Sequence, residues 1–281
     1  MSRTAYNIKP YTMNIGKILY GITISLLLSG CEDMFNYHPY DTRFDGEKNI
    51  NANNIRRIEA ECLGKDTITF AFISDTHGDY SDTEDAIDNI NGRQDIDFVI
   101  HGGDLTDCGT TKEFIWQRKR LAKLRMPYIA LIGNHDFLGT GNEVYLTMYG
   151  NTDFSLIAGR IKFVCLNTNA TEYDYLAAVP NFDFMETQIL ADSGLFNRTI
   201  VCMHARPYSE QFNNNVAKSF QHYIQRFPGI MFCLNGHDHC LQETDIYGDG
   251  IIYYGAPSIS RRSYLLFTIT QTEYSHEVIP F

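Results

Sequence analysis

Residues 67–74 read TITFAFIS, a largely apolar, β-branched run whose polar residues are Thr67, Thr69 and Ser74, which predicts a strand covered on both faces. Residues 96–100, 128–132, 199–203 and 230–234 are further strand-like runs, whereas residues 82–90, 111–124, 184–190 and 216–226 space their apolar side chains as helices do. Strands and helices alternate along the first half, which implies a largely parallel sheet with helical crossovers. Beyond residue 151 the pattern changes. Residues 154–157 and 161–166 are two strands separated by Ala158-Gly159-Arg160, a hairpin signal and the expected start of a second sheet, and the chain is strand-rich from Ile251. Upstream, Ile55, Ile58 and Cys62 recur at helical spacing, with Asn53 or Asn54 as the expected cap and Gly64 as the expected stop. The pattern predicts one α/β domain, residues 51–281, containing two sheets.

The N-terminus follows other rules. Arg3, Lys9 and Lys17 precede an apolar run, residues 18–28, that ends in Ser29-Gly30-Cys31. The run is shorter than the roughly 20 residues a bilayer span needs and reads as the core of a secretory signal. Small residues directly before a cysteine resemble a bacterial lipoprotein signal. Residues 1–30 are then a signal peptide, and Cys31 is the lipidated mature N-terminus. Residues 31–50, polar and without period, are a tether. This predicts a chain anchored to the membrane through lipid on Cys31, in the bacterial cell envelope, facing the periplasm or the surface. Six cysteines remain; Cys165, Cys202 and Cys233 sit in strand-like runs, so mostly free thiols are expected. A net charge of -11 argues against a protein that grips nucleic acid by its phosphates.

Candidate chemistry gathers where the apolar runs end. Asp75-Thr76-His77 follows the first, Gly103-Asp104-Leu105-Thr106-Asp107 the second and Gly133-Asn134-His135-Asp136 the third; His204 and Gly236-His237-Asp238-His239 follow two later ones. Parallel strands bring such ends together, which is where open α/β folds bind ligands. Gly236 is expected to let the backbone bend sharply enough for both imidazoles to enter one cleft. Imidazole, carboxylate and amide oxygen suit divalent transition metals, and their number exceeds one coordination shell.

In this order, DTH, GDLTDCG, GNHD, the lone His204 and GHDH resemble the motifs of the calcineurin-like metallophosphoesterases over about residues 66–280. The resemblance implies a two-sheet sandwich flanked by helices. It also implies two divalent ions (manganese, iron, zinc or nickel) and hydrolysis of a small phosphomonoester or phosphodiester by a metal-bridging hydroxide. Asp75, His77 and His239 would hold one ion and Asn134, His204 and His237 the other, with Asp104 bridging. His135 would face the phosphate and Asp107 would orient it. Asp107 stands where purple acid phosphatases carry a tyrosine, and Cys108 where protein serine/threonine phosphatases carry an arginine, which disfavours both branches.

Other residues have plainer expectations. Asp136 is balanced between helix cap and site residue, and His101 is a core or supporting histidine. His38, His222 and His276 are expected in solvent. Arg206 and Arg261 are possible substrate contacts, although a solvated loop arginine is the commoner case, and Arg262 stands with them. Tyr173 and Tyr175 either line a cleft or pack on the domain. The rival reading from another class is a non-catalytic envelope-anchored binding lipoprotein that retains the fold.

Overall fold

The computed structural model describes His38 and residues 40–281; the expected signal peptide, Cys31 and residues 32–37 and 39 of the expected tether lie outside the described residues. Of the residues up to 41, those described form a turn in which the Asp41 and Tyr40 amides donate to the His38 carbonyl and Nδ1 (2.9 and 3.2 Å). Residues 42–281 are a separate unit. Its chain runs α1 (Ile50–Glu61), β1 (Ile68–Ile73), α2 (Tyr80–Gly92), β2 (Phe98–His101), α3 (Thr111–Leu121), β3 (Tyr128–Ala130) and α4 (Gly141–Met148). The hairpin β4 (Phe154–Ala158) and β5 (Ile161–Leu166) follows, then α5 (Phe182–Leu190), β6 (Arg198–Met203), α6 (Ala217–Arg226) and β7 (Ile230–Asn235). The chain closes with β8 (Gln242–Thr244), β9 (Ile252–Gly255), β10 (Ser263–Ile269) and β11 (Tyr274–Pro280).

The strands form two mixed sheets, in the orders β11-β10-β1-β2-β3 and β4-β5-β6-β7-β9-β8. Pairing is parallel from β1 to β3 and from β5 through β6 and β7 to β9, so both sheets turn the C-terminal ends of their central strands to one edge. In β1, Phe70 and Phe72 enter the core between the sheets while Ala71 and Ile73 enter the core under α2, α3 and α4, as a period of two requires. Phe70 meets Phe163 of the second sheet edge-on at 5.2 Å, and Phe232 stacks on Phe267 at 4.9 Å. A third core lies between the second sheet and α5 and α6. The fold is thus an α/β sandwich with helices on its outer faces.

Several expectations change. Asn53 and Asn54 lie inside α1, and its N-cap position is Asn49, whose side chain does not cap. The buried asparagines serve the sheet edge instead. Asn51 donates to the Ala130 carbonyl (2.8 Å) and accepts from its amide (3.0 Å), and Asn54 donates to the Tyr128 carbonyl (2.7 Å). Edge strand β3 therefore finds amide partners on a helix in place of another strand. α3 starts at a capping box of Thr110 and Glu113 and stops at Leu121, short of residue 124. α4 and β8 were not predicted. His276 is half-buried, stacked on Phe267 (5.6 Å) and tilted against Tyr254 (4.6 Å) rather than standing in solvent, whereas His222 is exposed. The six described cysteines are free thiols; Cys62, Cys165, Cys202 and Cys233 are buried, and burial pushes the Cys62 thiol up to about 12.

Candidate metal centre

At the shared sheet edge the backbone is forced into an unusual path. Asp75, His77, Asp104, His237 and His239 adopt left-handed φ of 53°, 41°, 55°, 68° and 54°, a region costing on the order of 1–3 kcal/mol for each non-glycine residue. Hydrogen bonds hold these turns to one another. The Asp75 amide donates to the Gly103 carbonyl, the Thr76 and His77 amides share the Asp104 carbonyl, and Ser258 Oγ donates to the Asp75 carbonyl (3.0–3.1 Å). The chain does turn sharply after Gly236, the Asp238 amide donating to the Gly236 carbonyl (2.8 Å), but the φ of Gly236 is not positive, so what demands glycine there is close approach. A Cβ there would lie 2.1 Å from Ser74 Oγ and 2.8 Å from Asp75 Oδ2. Gly133 is pressed likewise against the Asp104 amide, at 2.1 Å from a Cβ. Glycine at these positions lets two strand ends touch.

The side chains then converge in two sets. In the first, His77 Nε2 lies 3.2 Å from His239 Nε2 and 3.6 Å from Asp104 Oδ2, while His239 Nε2 lies 3.3 Å from Asp75 Oδ1. In the second, His204 Nε2 lies 3.4 Å from Asp104 Oδ2 and 3.1 Å from Asn134 Oδ1, which is 3.0 Å from His237 Nδ1. Asp104 Oδ2 thus faces both sets. The structure brings together all seven residues that the resemblance assigned to metal. Their supports were not predicted. His77 Nδ1 is held by the Thr106 carbonyl (3.2 Å), His204 Nδ1 by the Gly102 carbonyl (2.8 Å) and His237 Nε2 by Glu210 (3.0 Å).

These contacts test whether the site suits metal. A ring nitrogen that donates to a carbonyl leaves its partner nitrogen as a lone pair, so His77 Nε2 and His204 Nε2 are aimed at other lone pairs. Such convergence requires a positive centre between the donors, either a proton or a cation. Burial by itself would raise the Asp104 carboxyl, but His204 and the neighbouring imidazoles outweigh it and hold the acid well below the usual range. Burial opposes charge on His204, yet Asp104 against it raises that imidazole to about 10. Two carboxylates, four imidazoles and an amide oxygen at these spacings fit two divalent ions of the imidazole-accepting kind.

The remaining predicted residues are placed as follows. His135 Nδ1 is 2.8 Å from the Asp107 carbonyl but 4.0 Å from its carboxylate, so the main chain of Asp107 does the orienting. The exposed Asp107 carboxylate is 3.8 Å from His77 Nδ1. Asp136 is buried and caps no helix; it accepts from the amides of Leu105, Thr106 and Gly133 and from Thr106 Oγ1 (2.8–3.1 Å), which staples the GDLTD turn to the GNHD turn. His101 is buried between Thr76 Oγ1 and the Gly103 amide, and burial lowers it to about 3. Arg206 is occupied: its Nε donates to Asp238 (2.6 Å) and Gln242 (3.2 Å). Arg261 is exposed in the turn after Ser258, and Arg262 is paired with Asp82 and Asp85 of α2. Tyr173 packs on Phe137 (5.2 Å) and Tyr175 is exposed.

Comparison with known proteins agrees with this geometry. The family model for calcineurin-like phosphoesterase matches residues 68–241. A 3',5'-cyclic-nucleotide phosphodiesterase of Nostoc is 26% identical over 59% of this chain and 64% of its own length, so the match spans less than two thirds of that relative. A glycerophosphodiester phosphodiesterase of Enterobacter lignolyticus is 27% identical over 69% of this chain and 70% of its own. Among solved structures, a dimetal phosphatase of Danio rerio superposes with a TM-score of 0.57 at 12% identity, covering 74% of this chain and 98% of that one. A purple acid phosphatase from yellow lupin gives 0.60 at 15% identity, over 78% and 52%; at such identities the likeness concerns the fold alone. With the family model covering well over half of the chain and the motif side chains gathered at one edge, this chain belongs to the calcineurin-like phosphoesterase family of metal-dependent phosphoric ester hydrolases.

Proposed function

We propose that this chain hydrolyses small phosphodiesters at a centre of two divalent ions, held by Asp75, His77 and His239 on one side and Asn134, His204 and His237 on the other, with Asp104 common to both. The observation that carries the reading is the convergence of six donors, in two sets of three, on either side of the Asp104 carboxylate. When bound, the ions supply Lewis acidity toward phosphorus and make water a stronger nucleophile near neutral pH. His135 stands beside these donors, fixed through Nδ1 by the Asp107 carbonyl, and among the described residues its Nε2 has no hydrogen-bond partner; in its protonated form it can pass a proton to the leaving oxygen.

Two observations favour diesters. Both relatives are phosphodiesterases by name. The site also lends little positive charge beyond its ions, since Arg206 is neutralised by Asp238, and a monoester near pH 7 carries roughly -1.5 to -2. The test is a panel of cyclic nucleotides, other diesters and monoesters, assayed with metal-free protein and with protein reloaded with manganese, iron, nickel or zinc. Chelation should abolish turnover and reloading restore it, with diesters ahead. Equal turnover before and after chelation would sink the proposal. Full metal content with no turnover on any ester would favour the binding lipoprotein instead. We also propose that the chain is exported and anchored by lipid on Cys31, on the strength of the apolar run ending Leu28-Ser29-Gly30-Cys31; the mass of the mature N-terminal peptide tests this.

A further inference from the structure

Glu210 lies outside every motif, six residues beyond His204, with its carboxylate largely in solvent (79% exposed), yet one oxygen sits 3.0 Å from His237 Nε2. The opposite ring nitrogen, Nδ1, is 3.0 Å from Asn134 Oδ1 within the second set of donors. The two nitrogens of an imidazole point away from each other, so Glu210 cannot share an ion with Nδ1. It can only act through the ring. The loop that carries it is well fixed: the Ser209 amide donates to the Arg206 carbonyl (3.1 Å), the Ala170 amide to the Gln211 carbonyl (2.9 Å), and Asn214 bridges the Tyr208 amide and the Ser209 carbonyl (2.8 Å each).

We propose that Glu210 is a positioning residue for the second ion, keeping the proton of His237 on Nε2 so that the Nδ1 lone pair is presented to the ion. The inference rests on the two-ion reading above. A carboxylate on the far nitrogen fixes both tautomer and ring orientation and makes the ligand more basic, and removing such a partner typically lowers metal affinity about 10- to 100-fold. The second set has particular need of it, because its own members, Asn134, His204 and His237, are all uncharged as ligands.

The experiment titrates manganese into metal-free protein by calorimetry, with elemental analysis of the product. Wild-type protein should bind two ions. Glu210→Ala should bind the first as before and the second about tenfold more weakly, the low end being expected for an exposed carboxylate. Glu210→Gln, whose amide oxygen still accepts from Nε2, should recover most of the loss. Gln211→Ala, which removes the next side chain of the Glu210 loop, one that accepts from Thr171 of the 170–173 turn, but leaves His237 alone, should behave as wild type. Melting of each metal-free variant checks that the fold survives; should Glu210→Ala unfold, the contrast between Glu210→Gln and Glu210→Asp, which is too short to reach the ring, decides the matter. Unchanged second-ion affinity in Glu210→Ala overturns the proposal, as does equal loss in Gln211→Ala, or failure of Glu210→Gln to recover. A wild-type protein that binds only one ion overturns the two-ion reading itself.

Discussion

Asp75, His77 and His239 on one side of Asp104, and Asn134, His204 and His237 on the other, are built from similar side chains but hold their geometry in different ways. The first side has a carboxylate of its own, yet His239 is 47% exposed, and among the described residues its second ring nitrogen has no hydrogen-bond partner. The second side has no carboxylate beyond the shared one. His204 is fully buried against the Gly102 carbonyl and His237 is braced by Glu210. At a few ångströms a unit charge pair is worth about 4 kcal/mol at a protein-like dielectric, more than the orientation of a neutral ligand contributes, so the first side should take the first ion. The contrast teaches that a charged half-site tolerates a loose ligand, whereas a neutral one depends on neighbours that aim its lone pairs.

The largest effect should come from removing what the halves share. Asp104→Asn should cost both ions and, since metal activation is worth several kcal/mol, lower turnover on the order of 10³-fold or more; elemental analysis beside diester rates measures it. Retention of two ions would show that Asp104 bridges nothing. Next, two neighbours in the chain should separate ligand from catalyst. Asn134→Ala should keep one equivalent of manganese on the carboxylate side, weaken the second and be partly rescued by excess metal. His135→Ala should keep both ions and lose about 10²- to 10⁴-fold in turnover, least for esters whose leaving group needs no proton. A His135 variant that loses an ion, or the same factor on every ester, would contradict its place beside the ions.

The smallest effect concerns the ion pair that ties the His204 loop to the GHDH turn. If Arg206 braces Asp238 rather than binding phosphate, Arg206→Gln and Asp238→Asn should impair second-ion binding alike. Their double variant should be little worse than either single one, with a coupling of about 1 kcal/mol. A rise in KM confined to Arg206→Gln would return that residue to the substrate.

Much of the architecture was legible because it rests on local pattern. A run such as TITFAFIS must be covered on both faces, and turns bounded by glycine at its C-terminal end must carry whatever polar chemistry the fold has. Candidate ligands could therefore be located from residue type and order, and the family resemblance implied which of them hold metal. What escaped has a common physical character. Asn54 looks like a cap residue at the start of a helical period and Asn51 carries no signal, but both pair with a strand 74–79 residues away. Asp136 stands balanced between cap and site residue until three amides from two turns are seen converging on it. Glu210 has no periodicity and no motif to mark it, and α4 and the three-residue β8 were too short or too weakly patterned to stand out.

The sequence by itself determined the longer strands, the α/β alternation, the free thiols and the clusters of carboxylate, amide and imidazole at the strand ends, since each follows from side-chain type and spacing over a few residues; the assignment of seven of those side chains to metal came with the family resemblance. Tertiary structure alone decided that β10 inserts between β1 and β11, that Gly236 must also lie against Ser74 and Asp75, that Arg206 pairs with Asp238, and that Glu210 stands behind His237. Each of these depends on which distant backbone segments come within a few ångströms, and a local pattern of polar and apolar residues carries no record of that distance.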